Sequence, residues 1–203
     1  MENTMSFYEV INKRRTIRQF DQEEIPKEVL ERILNAGLKA PSGGNQRNWE
    51  LVTITDKDII LDLAKFVLPS PCNIKEPKTP QQEMFKIACP RQRSMIEEST
   101  CVILVLYKQK HDFTNSPNNF GLQDYGSAWV LIENILLSAT YEGLGTGIHV
   151  PVQKEPQQIK DFMKIPNNYY LPAMIMLGYT AENALLPNQI ETNVNNKVHW
   201  NQW

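Results

Sequence analysis

Residues 100–107 read Thr-Cys-Val-Ile-Leu-Val-Leu-Tyr, an apolar run rich in β-branched side chains. A strand with one wet face alternates apolar and polar residues. This one does not, so it belongs at the centre of a sheet, covered on both faces. Working outward, Trp49–Ile54 (WELVTI) and Leu171–Tyr179 (LPAMIMLGY) read as further strands, with Pro172 pushing the second towards an edge or a strand start. Residues 125–141 predict a long helix that is apolar on most of its circumference, as burial between layers or at a subunit interface requires. A short helix over 7–13 ends in Lys13-Arg14-Arg15. Pro26 opens a second helix, whose residues Leu30, Ile33, Leu34, Gly37 and Leu38 form one stripe before Pro41 ends it. A third helix is expected from about 57 to 67, with Asp56 as N-cap.

The chain has 203 residues, 41% of them apolar and 22% charged, which suits one globular domain and excludes disorder and collagen-like repeats. Lys and Arg number 21 against 23 Asp and Glu, a net charge of -2 that argues against a nucleic-acid binder. The longest apolar run, Cys101–Tyr107, is far too short to span a membrane. The first residues, MENTMSFYEV, lack a basic start followed by an apolar stretch. Cys72, Cys89 and Cys101 contain no CxxC pair. Together these features lead us to expect a reduced, cytoplasmic protein with no membrane and no nucleic-acid partner.

Two segments show neither helical nor strand periodicity. Residues 69–90 carry Pro69, Pro71, Pro77, Pro80 and Pro90 and are expected to be irregular, either as a lid or binding loop or as a tolerated surface insertion. Residues 181–203 are rich in Asn yet end in His199, Trp200 and Trp203, a pattern that predicts docking of the tail on another surface.

Three stretches could carry chemistry. Arg14-Arg15-Thr16-Ile17-Arg18 places three guanidinium groups and a hydroxyl within five residues, suited to phosphate oxygens, although a charge run standing alone more often marks a solvated helix end. Pro41-Ser42-Gly43-Gly44-Asn45 combines permissive backbone with donors and acceptors, and fits either a flat ligand or a plain turn. Gly143-Leu144-Gly145-Thr146-Gly147 is not a dinucleotide-binding fingerprint, because Ile148 stands where the third Gly is required and a helix precedes it instead of a strand. It reads as a Gly-rich helix end whose N–H groups could face an aromatic ring or an anion. The three His are scattered without metal-ligand spacing, and no metal is expected. His149 reads as structural and Cys101 as an inert core residue.

The order of these pieces resembles the FMN-dependent nitroreductase family: RRTIR at 14–18, APSGGNQRNW at 40–49, and GLGTG at 143–147 after a buried helix. The likeness runs from about residue 6 to the C-terminus. It implies an α+β fold, a three-layer sandwich with a mixed central sheet between helices, built as an intertwined homodimer with an exchanged C-terminal tail. By motif position, Arg14, Arg15, Thr16 and Arg18 would contact the FMN phosphate, ribityl chain and pyrimidine edge. Pro41, Ser42, Gly43 and Asn45 would reach the flavin from the other subunit, and Gly145, Thr146 and Gly147 would line its ring. Three departures stand out: Arg47-Asn48 precedes Trp49 where the family often has Gln-Pro, Ile148 replaces a common Trp, and Lys197 is the remaining candidate for a C-terminal phosphate contact.

The resemblance further implies ping-pong transfer of a hydride from NADH or NADPH through FMN to nitroaromatics, quinones or enones. The cofactor carries the chemistry and no protein acid or base is nominated. Met84 and Phe85 would help to shape the acceptor pocket. The alternatives are a specialised member that fragments flavin, dehalogenates or oxidises an azoline, and a non-catalytic flavin-binding module.

Overall fold

The computed structural model describes residues 5–108 and 120–203. Its sheet has four strands: β1 (Trp49–Ile54), β2 (Cys101–Lys108), β3 (Gly145–His149) and β4 (Tyr169–Gly178), in the order β1-β2-β4-β3. Every neighbouring pair is antiparallel. The mixed sheet expected from the resemblance is therefore antiparallel in its named strands, and among the described residues the parallel pairing is the bridge between Thr16 and Thr146.

The central place predicted for residues 100–107 is observed, since Cys101–Tyr107 is buried throughout. Alternate residues serve opposite layers. Cys101, Ile103, Val105 and Tyr107 pack with α2 (Lys27–Leu38) and α6 (Phe120–Tyr141). Val102, Leu104 and Leu106 pack on the other side with α3 (Lys57–Ala64), α5 (Gln92–Glu98) and α7 (Glu155–Phe162). The result is the three-layer α+β sandwich. Burial pushes the Cys101 thiol up to about 12, so it is inert at neutral pH.

Pro172 departs from expectation, because β4 lies inside the sheet between β2 and β3. The pairings Val105–Ala173 and Tyr107–Tyr170 place an additional β4 residue opposite β2. That bulge accommodates a residue with no N–H to donate. It also flips the face parity: Leu171 lies with the second core, while Ala173, Ile175 and Leu177 lie with the first.

The helices follow their local signals closely. Ser6 and Glu9 form a reciprocal cap on α1 (Phe7–Lys13), which delivers Arg14 to the start of an extended segment. Asp56 caps α3 by accepting from the N–H groups of Asp58 and Ile59. In α2, a Cβ on Gly37 would lie 2.6 Å from Ile135 Cγ1, so glycine is what lets α2 press against α6. The Pro-rich segment is more ordered than expected: Thr79 caps α4 (Pro80–Ala88), with Pro80 in the first turn where its missing N–H costs nothing. Among the described residues, no helix is long and apolar enough to cross a membrane.

Candidate functional site

Residues 14–20 run extended along the outer edge of β3. Ile17 N–H donates to Thr146 C=O at 2.7 Å, and further along Gln19 C=O accepts from Ala181 N–H at 3.1 Å. The Gly-rich stretch is divided: Gly143, with a left-handed φ of 84°, and Leu144 end α6 by donating to Thr140 and Ala139 C=O, as the helix-end reading expects, whereas Gly145–Gly147 belong to strand β3. Its glycines are required by packing. A Cβ on Gly145 would lie 2.6 Å from Thr180 Oγ1 and 2.8 Å from Ile17 Cγ1, and one on Gly147 would lie 2.6 Å from Met95 Sδ and 2.7 Å from Ile17 O. Thr146 between them is buried. The structure therefore brings Arg14–Arg18 and Gly145–Gly147 side by side.

Beside this junction lies a cavity of about 250 Å³, lined by Arg14, Arg15, Thr16 and Arg18, by Met84 of α4, and by Leu186, Pro187 and Gln189 of the tail. Its cations differ in how far they are neutralised. Arg14 Nε sits 3.4 Å from Glu133 Oε1, a half-exposed and hence weak pair. Arg15 and Arg18 have no carboxylate partner among the described residues. Arg18 Nη2 touches Met84 Sδ at 3.8 Å, and its Nε is buried with no partner. Burial lowers the Arg18 pKa, with the nearby Cys89 opposing the shift in part. A cationic cavity with an orphaned guanidinium N–H fits an anionic, hydrogen-bond-accepting ligand.

Helix α5 braces both walls of the junction. Arg91, just before it, donates from Nε to Arg18 C=O at 3.0 Å. Gln92, its first residue, reaches His149 Nδ1 with Oε1 at 3.0 Å. His149 Nε2 lies 2.8 Å from Glu155 Oε2, which also accepts from Val152 N–H at 2.9 Å, while Glu155 Oε1 accepts from Leu68 N–H at 2.6 Å. Both side chains are buried. The structural reading of His149 holds, and its partners Gln92 and Glu155 were missed. The one local hint was Glu155 placed before Pro156 at a helix start.

The 41–45 stretch lies elsewhere, against the N-terminal part of α6. Gly43 N–H donates to Ser127 Oγ at 3.0 Å, and Ser42 Oγ accepts from Arg47 N–H at 2.9 Å. Gly44, Asn45 and Arg47 all take left-handed backbone (φ 57°, 53° and 49°), so the loop is held in an unusual shape even though Asn45 and Arg47 are exposed. Below it, Tyr107 Oη is buried without a partner. Neither Pro41–Asn45 nor Lys197 lines the arginine cavity. Lys197 sits in the tail, where Leu185, Ile190, Trp200 and Trp203 are all exposed.

With this geometry in place, the sequence matches the Nitroreductase family over residues 11–179, and the chain belongs to that family. Among its relatives is a Methanothermobacter thermautotrophicus protein with the provisional name NADH dehydrogenase/NAD(P)H nitroreductase, 25% identical over 98% of this chain and 88% of that protein. Iodotyrosine deiodinase 1 of Mus musculus is 24% identical over 91% of this chain and 66% of its own length. The FMN-dependent nitroreductase of Clostridium difficile R20291 shares the fold, with a TM-score of 0.70 at 23% identity over 96% of this chain and 98% of that one.

Proposed function

We propose that the chain is an FMN-dependent oxidoreductase that works as a homodimer, its 203 residues acting as one nitroreductase-like unit. The observation that carries this reading is the cavity at Arg14, Arg15, Thr16 and Arg18, with two uncompensated guanidinium groups, in a member of the Nitroreductase family. Relatives named for FMN and for NAD(P)H support the cofactor and its reductant.

When bound, FMN would supply the redox chemistry, hydride transfer from NADH or NADPH to an electron-poor acceptor in alternate half-reactions. The chain supplies binding and charge. Arg14, Arg15 and Thr16 hold the phosphate and ribityl chain through charge-assisted hydrogen bonds. Arg18 would meet the pyrimidine edge, where its desolvated charge would stabilise negative charge developing on the ring. Gly145, Thr146 and Gly147 form the wall beside the ring. Among the described residues, the arginines are the ionisable groups that line the cavity.

The partner subunit completes the site in this reading. Pro41, Ser42, Gly43 and Asn45 reach the flavin of the other chain. Residues 181–189 lie on their own chain, where Ala181 and Leu185 donate to Gln19 and Leu186, Pro187 and Gln189 line the cavity, so only the rest of the tail, 190–203, wraps the partner and brings Lys197 to its phosphate. Support comes from the pre-shaped, exposed 41–47 loop and from the apolar side chains exposed on α1 and the tail, Phe7, Tyr8, Ile190, Trp200 and Trp203. Met84 and Phe85 of α4 border the acceptor pocket.

The deiodinase relatives favour a second reading, reductive dehalogenation of an aromatic substrate, in which two electrons and a proton replace C–halogen by C–H and release halide. The visible spectrum of the purified protein, followed by anaerobic titration with NADH and NADPH, separates the possibilities. A yellow protein bleached rapidly by either nucleotide supports the reductase. Bleaching by dithionite alone, with halide release from an iodophenol, supports the second reading. A protein that takes up no FMN refutes both.

A further inference from the structure

We propose that Arg91 is the positioning residue for Arg18, and that through Arg18 it sets how strongly the site prefers reduced over oxidised flavin. The proposal rests on the flavin reading above. The extended segment alternates its hydrogen-bonding directions: Ile17 N–H goes to Thr146 and Gln19 C=O to Ala181, both towards the strand side. The Arg18 carbonyl between them points the other way, towards α5, where no sheet partner exists. Arg91 Nε meets it there at 3.0 Å.

The rest of the Arg91 guanidinium is held just as firmly. Its Nη2 lies 2.6 and 2.7 Å from the two oxygens of Glu98, seven residues later on the same helix face, and the Arg91 side chain is only 23% exposed. Glu98 is itself tied down, since its carbonyl accepts from Gln22 Nε2 at 2.9 Å. The two arginines therefore have opposite roles. Arg91 is neutralised by Glu98 and adds no net charge to the cavity. Arg18 lines the cavity, has no carboxylate partner among the described residues, and has a buried Nε without a hydrogen-bond partner. What Arg91 fixes is the backbone from which the Arg18 side chain departs. A fixed cation stabilises developing negative charge more than a mobile one, because no reorganisation is needed when the charge appears.

The test measures FMN affinity and the two-electron midpoint potential of bound FMN in the wild type, Arg91→Met, Arg18→Met and the double variant. Arg91→Met is expected to lose about tenfold more affinity for reduced than for oxidised FMN, a fall of about 30 mV for a two-electron couple. Once Arg18 is Met, adding Arg91→Met is expected to change the potential no further. A purely structural brace would lower stability and leave the potential alone, or give shifts that add in the double variant; either result overturns the proposal. Arg91→Lys guards against misfolding. It keeps the charge but cannot span Arg18 C=O and Glu98 together, so its potential falls in the same direction, and a wild-type potential in this variant also overturns the proposal. Failure of the wild type to take up FMN refutes the flavin reading and the role of Arg18 with it. Normal uptake with unaltered potentials refutes Arg91 alone.

Discussion

The junction of residues 14–18 with β3 and the loop at 41–47 carry comparable motifs but are finished to very different degrees. At the junction, one chain completes the structure: a β bridge, close glycine packing, the Arg91 clamp and the buried His149–Glu155 pair all converge within it. The 41–47 loop is held in shape from behind by Ser127 yet presents Asn45 and Arg47 to solvent. The tail, with both of its tryptophans exposed, resembles the loop in this respect. A fixed backbone that leaves its side chains exposed is what a contribution to another chain's site looks like. The difference explains why we place the cationic half of the flavin site within each chain and the other half across a dimer.

The largest test strikes the finished half. Glu155→Ala removes the partner of His149 and the acceptor of two backbone N–H groups, and should cost about 3–5 kcal/mol in urea unfolding. A cost below about 1 kcal/mol would mean that the junction is not braced from behind. Next is Gly147→Ala, whose Cβ would sit 2.7 Å from Ile17 O and would lift residues 14–18 off β3. We expect about 1–3 kcal/mol of destabilisation, together with weaker FMN binding by fluorescence titration. Stability loss with unchanged FMN affinity would separate the strand from the site.

The unfinished half should answer differently. Replacing Trp200 and Trp203 by Ala should alter the unfolding of dilute, monomeric protein by less than about 0.5 kcal/mol, while sedimentation shows weaker dimerisation. A large loss of monomer stability would show that the tail packs on its own chain. The smallest effect is a control remote from both halves. Arg32 holds Glu142 through two hydrogen bonds of 2.8 and 2.7 Å, and this bonding lowers the Glu142 pKa below the ordinary carboxylate value. A depressed folded-state pKa stabilises above the unfolded-state value and loses its effect as pH falls through the folded one. Wild type and Glu142→Gln should therefore differ slightly at neutral pH and converge in acid.

Much of this fold could be read because local chemistry and tertiary role agree. Residues 100–107 are apolar throughout because both faces of β2 are covered, and Asp56 announces α3 because a cap acts within three residues. Disagreement marks the failures. Gly145-Thr146-Gly147 has poor strand propensity, and it becomes β3 because Ile17, Met95 and Thr180 leave room for nothing larger. Pro172 sits in a central strand because a bulge spares its missing N–H. The proline count over 69–90 concealed α4, in which Pro80 occupies the single helical turn that tolerates it. At the site, the cationic cluster was legible as five consecutive residues. Arg91, Gln92 and Glu155 were not, since the contacts that tie them to the site's framework, to Arg18, His149 and Leu68, each span more than 50 residues of sequence.

The central claim, a flavin site with its cationic half in each chain and completed by a second chain, is tested most directly by titrating the purified protein with FMN while its mass is followed by sedimentation. A dimer that binds one FMN per chain is expected, with affinity reduced on the order of 100-fold by exchanging Arg15 and Arg18 for Met. A protein that binds FMN equally well as a monomer, or with both arginines replaced, would contradict it.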